Sequence, residues 1–198
     1  MSLDIILGPM FAGKSSRILS IESRYAAMGM RVLIVKHASD NRYGQQDDII
    51  THDQRRIPCR RILSLNEIAD EAGNYDVIIV DEAHFFAGLV NFARHVVEGC
   101  RRSLFLVGLD GDSNRQPFGE LTNCIPLADR VERMTAFCHR CANGTPGLFS
   151  YRRQGPYDQQ VIVGGAELYQ TLCRRCYLRL EEEDARLRME VAREFFLP

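Results

Sequence analysis

The amino-acid sequence predicts an α/β fold with a mainly parallel sheet flanked by helices. Four short apolar runs alternate with segments in which apolar residues recur at helical spacing. The apolar runs show no polar alternation, which is typical of strands that a parallel sheet buries on both faces. Strands that alternate with helices favour a doubly wound layer. A chain of 198 residues has room for one such domain and a small appendage.

The predicted elements follow one another as strand, turn and helix. The first strand is followed by a glycine-rich turn and a helix that starts at Lys14 and ends near Met28. We expect the layer to end near Met134, because glycine, proline and asparagine clusters dominate the sequence beyond it. In chain order the predicted strands are 4–7, 31–36, 75–80 and 103–108, and the helices between the later strands are 64–72 and 86–99.

Composition and charge exclude several classes of protein. The chain is 45% hydrophobic and 26% charged, as in ordinary globular proteins, and it holds no apolar run of the length a membrane span needs. Its first residues lack the pattern of a secretory signal, so we expect a cytoplasmic location. With 25 basic and 26 acidic residues the net charge is -1, so no nucleic-acid partner is expected. Among the basic residues only Lys14 and Lys36 are lysines.

A phosphate-binding motif follows the first predicted strand. Residues 8–15, Gly-Pro-Met-Phe-Ala-Gly-Lys-Ser, match the pattern G-x-x-x-x-G-K-[ST] and lie between a strand and a helix, the context that this motif requires. The loop N–H groups and the helix N-terminus would face phosphate oxygens, while Lys14 reaches the β- and γ-phosphates and Ser15 holds Mg²⁺. The alternative is a glycine turn with an incidental lysine. The predicted ATP- and Mg²⁺-binding residues of the motif are Gly8, Pro9, Met10, Phe11, Ala12, Gly13, Lys14, Ser15 and Ser16.

Two carboxylates follow the third predicted strand, at the edge where open α/β sheets bind their ligands. Asp81 is expected to hold Mg²⁺, and Glu82 is then available as a base near the γ-phosphate. Residues 81–84, Asp-Glu-Ala-His, also spell the signature of one class of helicases. Such motors need a second lobe and a positively charged track, so this alternative is disfavoured. His84 is equally compatible with a wall residue and with a catalyst.

Four of the seven cysteines form two C-x-x-C pairs. Thirty-one residues separate the pairs, a spacing that closes a tetrahedral four-thiolate zinc site. Such a site leaves no open coordination position, so its expected role is to staple the loop between the pairs. Four unliganded thiols are the alternative. The predicted zinc ligands are Cys138, Cys141, Cys173 and Cys176.

In this order the motifs resemble those of the type II thymidine kinases over nearly the whole chain. The resemblance rests on the phosphate loop, on residues 81–86 (Asp-Glu-Ala-His-Phe-Phe) and on the second cysteine pair. It rests equally on the short segments 39–43, 51–53, 108–111, 117–119 and 163–169. The family implies transfer of the γ-phosphate of ATP to the 5′-hydroxyl of thymidine or deoxyuridine, giving dTMP in nucleotide salvage. It also implies a homotetramer and feedback inhibition by dTTP.

The resemblance also implies an architecture and a set of site residues. Residues 1–135 would form a P-loop NTPase-like nucleotide-binding domain, and 136–180 a zinc-stapled subdomain whose flexible lasso, from Pro146 to Val163, closes over the nucleoside. Residues 181–198 would form a C-terminal helix, although the helical pattern already starts at Leu178. Glu82 takes the position of the general base, and Asp40 and Arg42 lie near the sugar and phosphates. The implied nucleoside-binding residues are Met10, Phe85, Leu109, Phe118, Gln160, Val161, Ile162, Val163, Gly164 and Tyr169.

Three positions depart from the family pattern. Ser113 stands where an aromatic residue is usual, Tyr151 stands where many members have a small residue beside the thymine methyl, and His84 replaces a common glutamine. Loss of a stacking ring costs on the order of 1 kcal/mol, about fivefold in binding. Ser113 and Tyr151 therefore leave a deoxynucleoside kinase of altered base specificity as one alternative. The others are a non-catalytic nucleotide-binding regulator, which the presence of Lys14 and Glu82 disfavours, and a P-loop motor that acts with nucleic acid.

Overall fold

The structure is a computed structural model that describes residues 1–39, 48–50, 56–153, 159–160, 162 and 164–196. Its helices are α1 (Lys14–Ala26), α2 (Asn66–Ala69), α3 (Leu89–Arg94, continued by a π-helical turn to Gly99) and α4 (Arg174–Phe196). Short 3-10 turns lie at Ala72–Asn74, Ala83–Phe85 and Leu121–Leu127. The strands are β1 (Ser2–Leu7), β2 (Val32–His37), β3 (Asp48–Ile50), β4 (Arg56–Pro58), β5 (Arg60–Ile62), β6 (Val77–Asp81), β7 (Ser103–Gly108), β8 (Arg130–Arg133), β9 (Ala136–Phe137), β10 (Pro146–Gly147), β11 (Phe149–Arg152) and β12 (Tyr169–Leu172).

A parallel sheet forms the centre of the fold, in the order β5-β2-β6-β7-β1-β8. The predicted α/β class with a parallel sheet and flanking helices is therefore confirmed. The central strand β6 is buried at every residue, as its continuous apolar run predicts. Because the strands are parallel, their carboxyl ends meet at one edge, where the phosphate loop follows β1 and the acidic pair lies at the end of β6.

Two apolar clusters cover the two faces of the sheet. One contains Ile18 and Ile21 of α1 packed against alternate residues of the central strands, such as Ile79 and Val107. The other contains the alternate partners of those residues, such as Ile78, with α3 and the 3-10 turn at Leu121–Leu127. Strands β1, β2, β6 and β7 therefore contribute to both clusters, which is the physical reason for their continuous apolar runs.

Several elements differ from the prediction in length. The predicted helix 64–72 is reduced to α2 and a separate 3-10 turn, and the predicted helix 86–99 begins only at Leu89. Gly88 precedes that helix with φ 72°, a left-handed conformation that cannot continue a helix. Strands β5 and β8 at the two edges were not predicted, because each is short and rich in arginine.

The residues after β8 build a smaller unit from two antiparallel hairpins, β9–β10 and β11–β12, and the start of α4. Helix α4 starts at Arg174, before the predicted start at Leu178, so the second cysteine pair leads directly into its first turn. A small apolar cluster with Tyr151, Leu172 and Tyr177 supports this unit. No helix in the described part of the chain is long and apolar enough to cross a bilayer.

Candidate active site

The phosphate loop connects the buried end of β1 to the first turn of α1. Gly13 precedes the helix with φ 83°, and Lys14 folds back so that its Nζ lies 3.0 Å from the Gly8 carbonyl oxygen and 2.8 Å from that of Pro9. A Cβ on Gly8 would lie 2.5 Å from the Met134 carbonyl oxygen, so only glycine fits beside the strand at the sheet edge. The loop therefore presents a lysine ammonium and a helix N-terminus on one side of the sheet, a pattern that binds phosphate.

The acidic pair lies at the same edge, on the turn that leaves β6. Asp81 and Glu82 are 4% and 7% exposed, and the Glu82 N–H donates to Asp81 Oδ1 at 2.9 Å. Glu82 has φ 51°, a left-handed conformation that is uncommon outside glycine and occurs often at functional sites. Burial of two adjacent carboxylates is costly unless cations or hydrogen bonds compensate, so their position indicates a site rather than a stabilising feature.

Two hydroxyl groups of the smaller unit hold the phosphate loop at Met10. The Met10 N–H donates to Ser150 Oγ at 3.0 Å, and Thr171 Oγ1 donates to the Met10 carbonyl oxygen at 2.9 Å. Both bonds are buried, and they join segments 140 and 161 residues apart. The hairpin β11–β12 is thereby attached directly to the loop that is predicted to bind the triphosphate.

A cavity next to this attachment collects most of the predicted nucleoside residues around Glu82. It measures about 50 Å³. Phe85 and Phe118 form one wall in an edge-to-face pair with ring centroids 5.4 Å apart. The predicted residues that line the cavity are Met10, Glu82, Phe85, Leu109, Phe118, Gln160, Ile162, Gly164 and Tyr169.

Four predicted residues lie outside the described part of the chain. They are Asp40 and Arg42, predicted near the sugar and phosphates, and Val161 and Val163 of the lasso. Of the motifs that carried the resemblance, the segment 51–53 also lies outside it. The roles of these residues stay predictions.

Sequence reasoning missed Asp112 and Ser150, which line the same cavity. Asp112 Oδ1 accepts the N–H groups of Asn114 and Gln116, both at 2.8 Å, and its Oδ2 accepts Gln160 Nε2 at 3.0 Å. Asp112 therefore shapes its own loop and holds the lasso residue Gln160 against it. The Asp-x-Asn spacing of a side-chain-capped turn was available in the sequence, whereas the Gln160 contact spans 48 residues and was not.

Tyr151 does not face the cavity, which corrects the expectation that its side chain lies beside the thymine ring of the nucleoside. Strand alternation turns Ser150 toward the phosphate loop and Tyr151 to the opposite side. There the Tyr151 hydroxyl donates to Asp184 of α4, and its ring packs edge-to-face on Tyr177 with centroids 5.4 Å apart. Ser113 does border the cavity, and its carbonyl oxygen accepts the Tyr177 hydroxyl at 2.7 Å.

The four predicted zinc ligands come together at the base of the smaller unit. Their sulfur atoms all lie within 4.8 Å of one another, with Cys141 Sγ 3.8 Å from Cys173 Sγ and 3.6 Å from Cys176 Sγ. Four sulfurs about 2.3 Å from a tetrahedral zinc ion would be about 3.8 Å apart, so the cluster fits Zn²⁺. All seven cysteines belong to the described residues, and none of them forms a disulfide bond there. The cluster can therefore hold a zinc ion.

Backbone groups within this cluster favour a thiolate. Burial raises the pKa of the Cys138 thiol, but hydrogen bonds from the backbone at Cys173, Cys141 and Arg140 outweigh burial and lower it to about 6. Burial and the neighbouring sulfurs raise the pKa of Cys176 to about 12. The next residue, Tyr177, also has a raised pKa, because its hydroxyl is buried and lies near Glu181. Without metal, Cys138 therefore loses its proton more readily than Cys176 does. Metal binding must displace the protons that remain on the other thiols.

The sheet order, the phosphate loop and the acidic strand end together define a P-loop nucleotide-binding protein, to which a smaller unit with a four-cysteine cluster is attached. Within that class, the chain belongs to the thymidine kinase family, since the family model described as "Thymidine kinase" matches residues 1–177. The chain is thus an ATP-dependent kinase of the family that phosphorylates thymidine, and the resemblance read from its motifs is confirmed.

Individual relatives agree with this assignment. The thymidine kinase of Yaba monkey tumor virus is 38% identical over 90% of this chain and 95% of its own length. That of Oryza sativa subsp. japonica is 37% identical over 89% of this chain and 66% of its own length. That of Monkeypox virus is 33% identical over 89% and 96%, respectively. Among solved structures, a DNA replication initiation factor superposes with a TM-score of 0.40 and 11% identity, over 67% of this chain and 40% of that one.

Proposed function

We propose that this chain transfers the γ-phosphate of ATP to the 5′-hydroxyl of thymidine or deoxyuridine, with Glu82 as the general base, and so supplies dTMP in nucleotide salvage. One observation carries the assignment of the base. Glu82 lines the cavity that collects the predicted nucleoside residues, and it is covalently adjacent to Asp81 at the edge where the phosphate loop lies. A carboxylate between a nucleoside pocket and a phosphate loop is placed to accept the hydroxyl proton.

Positioning and charge supply most of the rate enhancement in such a transfer, because the protein forms no covalent bond to the phosphoryl group. Lys14 and the loop N–H groups bind the β- and γ-phosphates. Ser15 and Asp81 offer hard oxygen ligands, the donor type that Mg²⁺ prefers, so these residues would hold the metal. When bound, Mg²⁺ neutralises charge that develops on the phosphate oxygens. Glu82 accepts the proton as the nucleoside oxygen attacks.

Glu82→Gln tests the base directly. The substitution keeps the size of the side chain and removes the carboxylate, so we expect kcat to fall by about 10²–10⁴ while the Kd for ATP stays within about twofold. Glu98→Gln is the matched control, because Glu98 is an exposed residue whose ion pair is with Arg94. Turnover of Glu82→Gln close to that of the control would remove Glu82 from the role of base.

A broader base specificity is the second candidate, and Ser113 is the observation that favours it. Ser113 borders both the nucleoside cavity and a neighbouring cavity of about 320 Å³ between the 113–114 loop and α4. A serine here leaves space that an aromatic ring would fill. A panel of deoxynucleosides assayed on the wild type and on Ser113→Phe decides the question. Equal kcat/KM ratios across the panel for both proteins would reject this candidate.

We propose that Zn²⁺ occupies the four-cysteine cluster as a structural ion, and that residues 1–135, 136–180 and 181–198 act as nucleotide-binding domain, lasso subdomain and terminal helix. The sulfur spacing and the hydroxyl bonds to Met10 support a distinct middle unit, and α4, which runs unbroken from Arg174 across residue 180, connects that unit to the terminal helix. The metal holds the hairpin, and the hairpin holds the phosphate loop. Metal analysis of freshly purified protein is the test, and protein that is active without zinc would contradict it.

A homotetramer, feedback inhibition by dTTP and a cytoplasmic location are also proposed from the family resemblance. An open surface supports self-association. Strand β8 lies at the edge of the sheet, and its Val131 is 43% exposed. A groove of about 570 Å³ lies next to it, lined by residues of α1, β1 and β8. Light scattering would measure the mass, and inhibition by dTTP would be measured against thymidine.

A further inference from the structure

The histidine that follows the acidic pair has a ring whose two nitrogens face different partners. The Leu109 N–H donates to His84 Nδ1 at 3.1 Å. A ring nitrogen that accepts a hydrogen bond carries no proton, so the neutral imidazole carries its proton on Nε2. That nitrogen lies 3.5 Å from Glu82 Oε2. The donor nitrogen of the ring is therefore the one next to the carboxylate of the proposed base.

The surrounding fold fixes this ring. His84 is 2% exposed, and its ring centroid lies 4.3 Å from that of Phe85 and 4.5 Å from that of Phe118. A Cβ on Gly108 would lie 2.8 Å from His84 Nδ1, and one on Gly119 would lie 2.0 Å from the His84 carbonyl oxygen. Glycine at these two positions leaves room for the histidine, and burial between the two phenylalanines restricts rotation of its ring.

Glu82 needs such a partner more than most carboxylates do. Its backbone leaves the strand at φ 51°, and its side chain has three rotatable bonds between that backbone and the reacting oxygens. A base that is displaced by about 1 Å can lose about 10²-fold in rate. His84 also packs on the two phenylalanines that line the nucleoside cavity. The same imidazole ring therefore contacts the cavity wall and lies next to the Glu82 carboxylate.

We propose that His84 is a positioning residue for the phosphoryl transfer, in which Leu109 fixes the tautomer and Nε2–H orients the Glu82 carboxylate toward the nucleoside hydroxyl. The inference rests on the proposed role of Glu82 as base. The separation of 3.5 Å is long for a hydrogen bond, and catalytic hydrogen bonds commonly shorten when substrate binds. A glutamine side chain carries an acceptor and a donor on one planar amide, so it can accept from Leu109 and donate to Glu82 in the same way.

The first test compares His84→Phe with His84→Gln. His84→Phe keeps an aromatic ring but removes both nitrogens, and we expect kcat to fall by about 10- to 100-fold, a part of the 10²–10⁴ that a general base contributes. The KM for thymidine and the Kd for ATP should stay within about twofold. His84→Gln should restore kcat to within about threefold of wild type. His95→Phe is the matched control, because His95 is exposed and lies on the helix that follows.

A wall residue would behave differently. If His84→Phe raises the KM with kcat unchanged, or if His84→Gln loses as much kcat as His84→Phe, the proposal is overturned. Thermal unfolding of each variant separates these outcomes from loss of the fold. If His84→Phe does not fold, ¹⁵N NMR of the five histidines of the wild type, assigned with His84→Gln, decides instead. Protonation of His84 on Nε2 is expected, and protonation on Nδ1 contradicts the proposal.

A double-variant cycle separates this proposal from that of the base itself. In Glu82→Gln there is no carboxylate to orient, so adding His84→Phe should lower the residual kcat by less than about twofold. An equal loss in both backgrounds shows that His84 acts independently of Glu82. Failure of the base proposal appears in the single variant Glu82→Gln, whereas failure of the positioning proposal appears in the cycle and in the glutamine rescue.

Discussion

The hydrogen bonds from Ser150 and Thr171 to Met10 predict how the smaller unit supports the phosphate loop. Ser150→Ala removes the acceptor of the Met10 N–H, and Thr171→Val removes the donor to its carbonyl oxygen with little change of shape. Ser150 is 5% exposed and Thr171 is 1% exposed, so water cannot replace either hydroxyl without a rearrangement. Each substitution therefore leaves one buried backbone group without a hydrogen bond.

The magnitude follows from that burial. An unsatisfied buried polar group costs about 1–3 kcal/mol, so we expect each variant to lose about 2 kcal/mol in free energy of unfolding. For a chain of this length the loss corresponds to a Tm lower by about 4–8 °C. The double variant should lose less than the sum, because both bonds restrain the same residue. The phosphate loop is then less preorganised, so the Kd for ATP should rise several-fold.

Urea unfolding and calorimetric titration with ATP measure the two effects. Thr145→Val is the control, because Thr145 is a half-buried threonine whose hydroxyl makes a solvent-exposed hydrogen bond to Asn143 in the same loop. The reasoning fails if Ser150→Ala and Thr171→Val unfold at the same urea concentration as this control. It also fails if both variants lose stability but bind ATP as tightly as the wild type, since the hairpin then supports the fold without supporting the loop.

Three further predictions test the metal, a glycine and an ion pair. Removal of zinc with a chelator, or Cys173→Ser, should weaken thymidine binding and lower the Tm, measured by titration and calorimetry; no change would exclude the staple. Gly119→Ala places a Cβ 2.0 Å from a carbonyl oxygen at φ 60°, whereas Gly144→Ala at φ 84° meets nothing within 4 Å. The first should therefore prevent folding and the second cost only about 1–2 kcal/mol of strain, which expression and urea unfolding would show. Hydrogen bonds from the Arg31 backbone N–H and side chain lower the pKa of Asp76 in the folded protein. The ionised carboxylate therefore stabilises the fold at any pH above the ordinary aspartate pKa of about 3.9. This stabilisation is lost as the pH falls through the lowered pKa of the folded state. Asp76→Asn should accordingly be less stable than wild type at neutral pH and equal to it near pH 2, by urea midpoints at both pH values.

Local sequence was sufficient for the central sheet because its strands are buried on both faces. Strands β2, β6 and β7 each contain four consecutive apolar residues, so each stands out as a continuous run. The edge strands β5 and β8 each have a neighbouring strand on one side only and carry arginine, so no apolar run marks them. Helix lengths were predicted less well, since a single left-handed glycine at residue 88 moved one helix start.

The family resemblance implied a set of nucleoside-site residues, but not all of their neighbours. Eight of the ten implied nucleoside residues line one cavity with Glu82, and the other two lie outside the described residues. Asp112 was missed because its partner Gln160 is 48 residues away. Tyr151 was expected beside the thymine ring, but the alternation of side chains along strand β11 turns it toward α4.

By itself the sequence determined the α/β class, the phosphate loop, the acidic strand end and the four-cysteine set, because each depends on residue types at short and regular spacing. Only the tertiary structure decided that Ser150 and Thr171 hydrogen-bond to Met10, that the Leu109 N–H donates to His84 Nδ1, and that Asp112 accepts from Gln160. These contacts join segments between 25 and 161 residues apart, and each partner is an ordinary residue in its own local sequence. A hydrogen bond across such a separation forms only once the strands have paired. It therefore leaves no periodic pattern in the sequence.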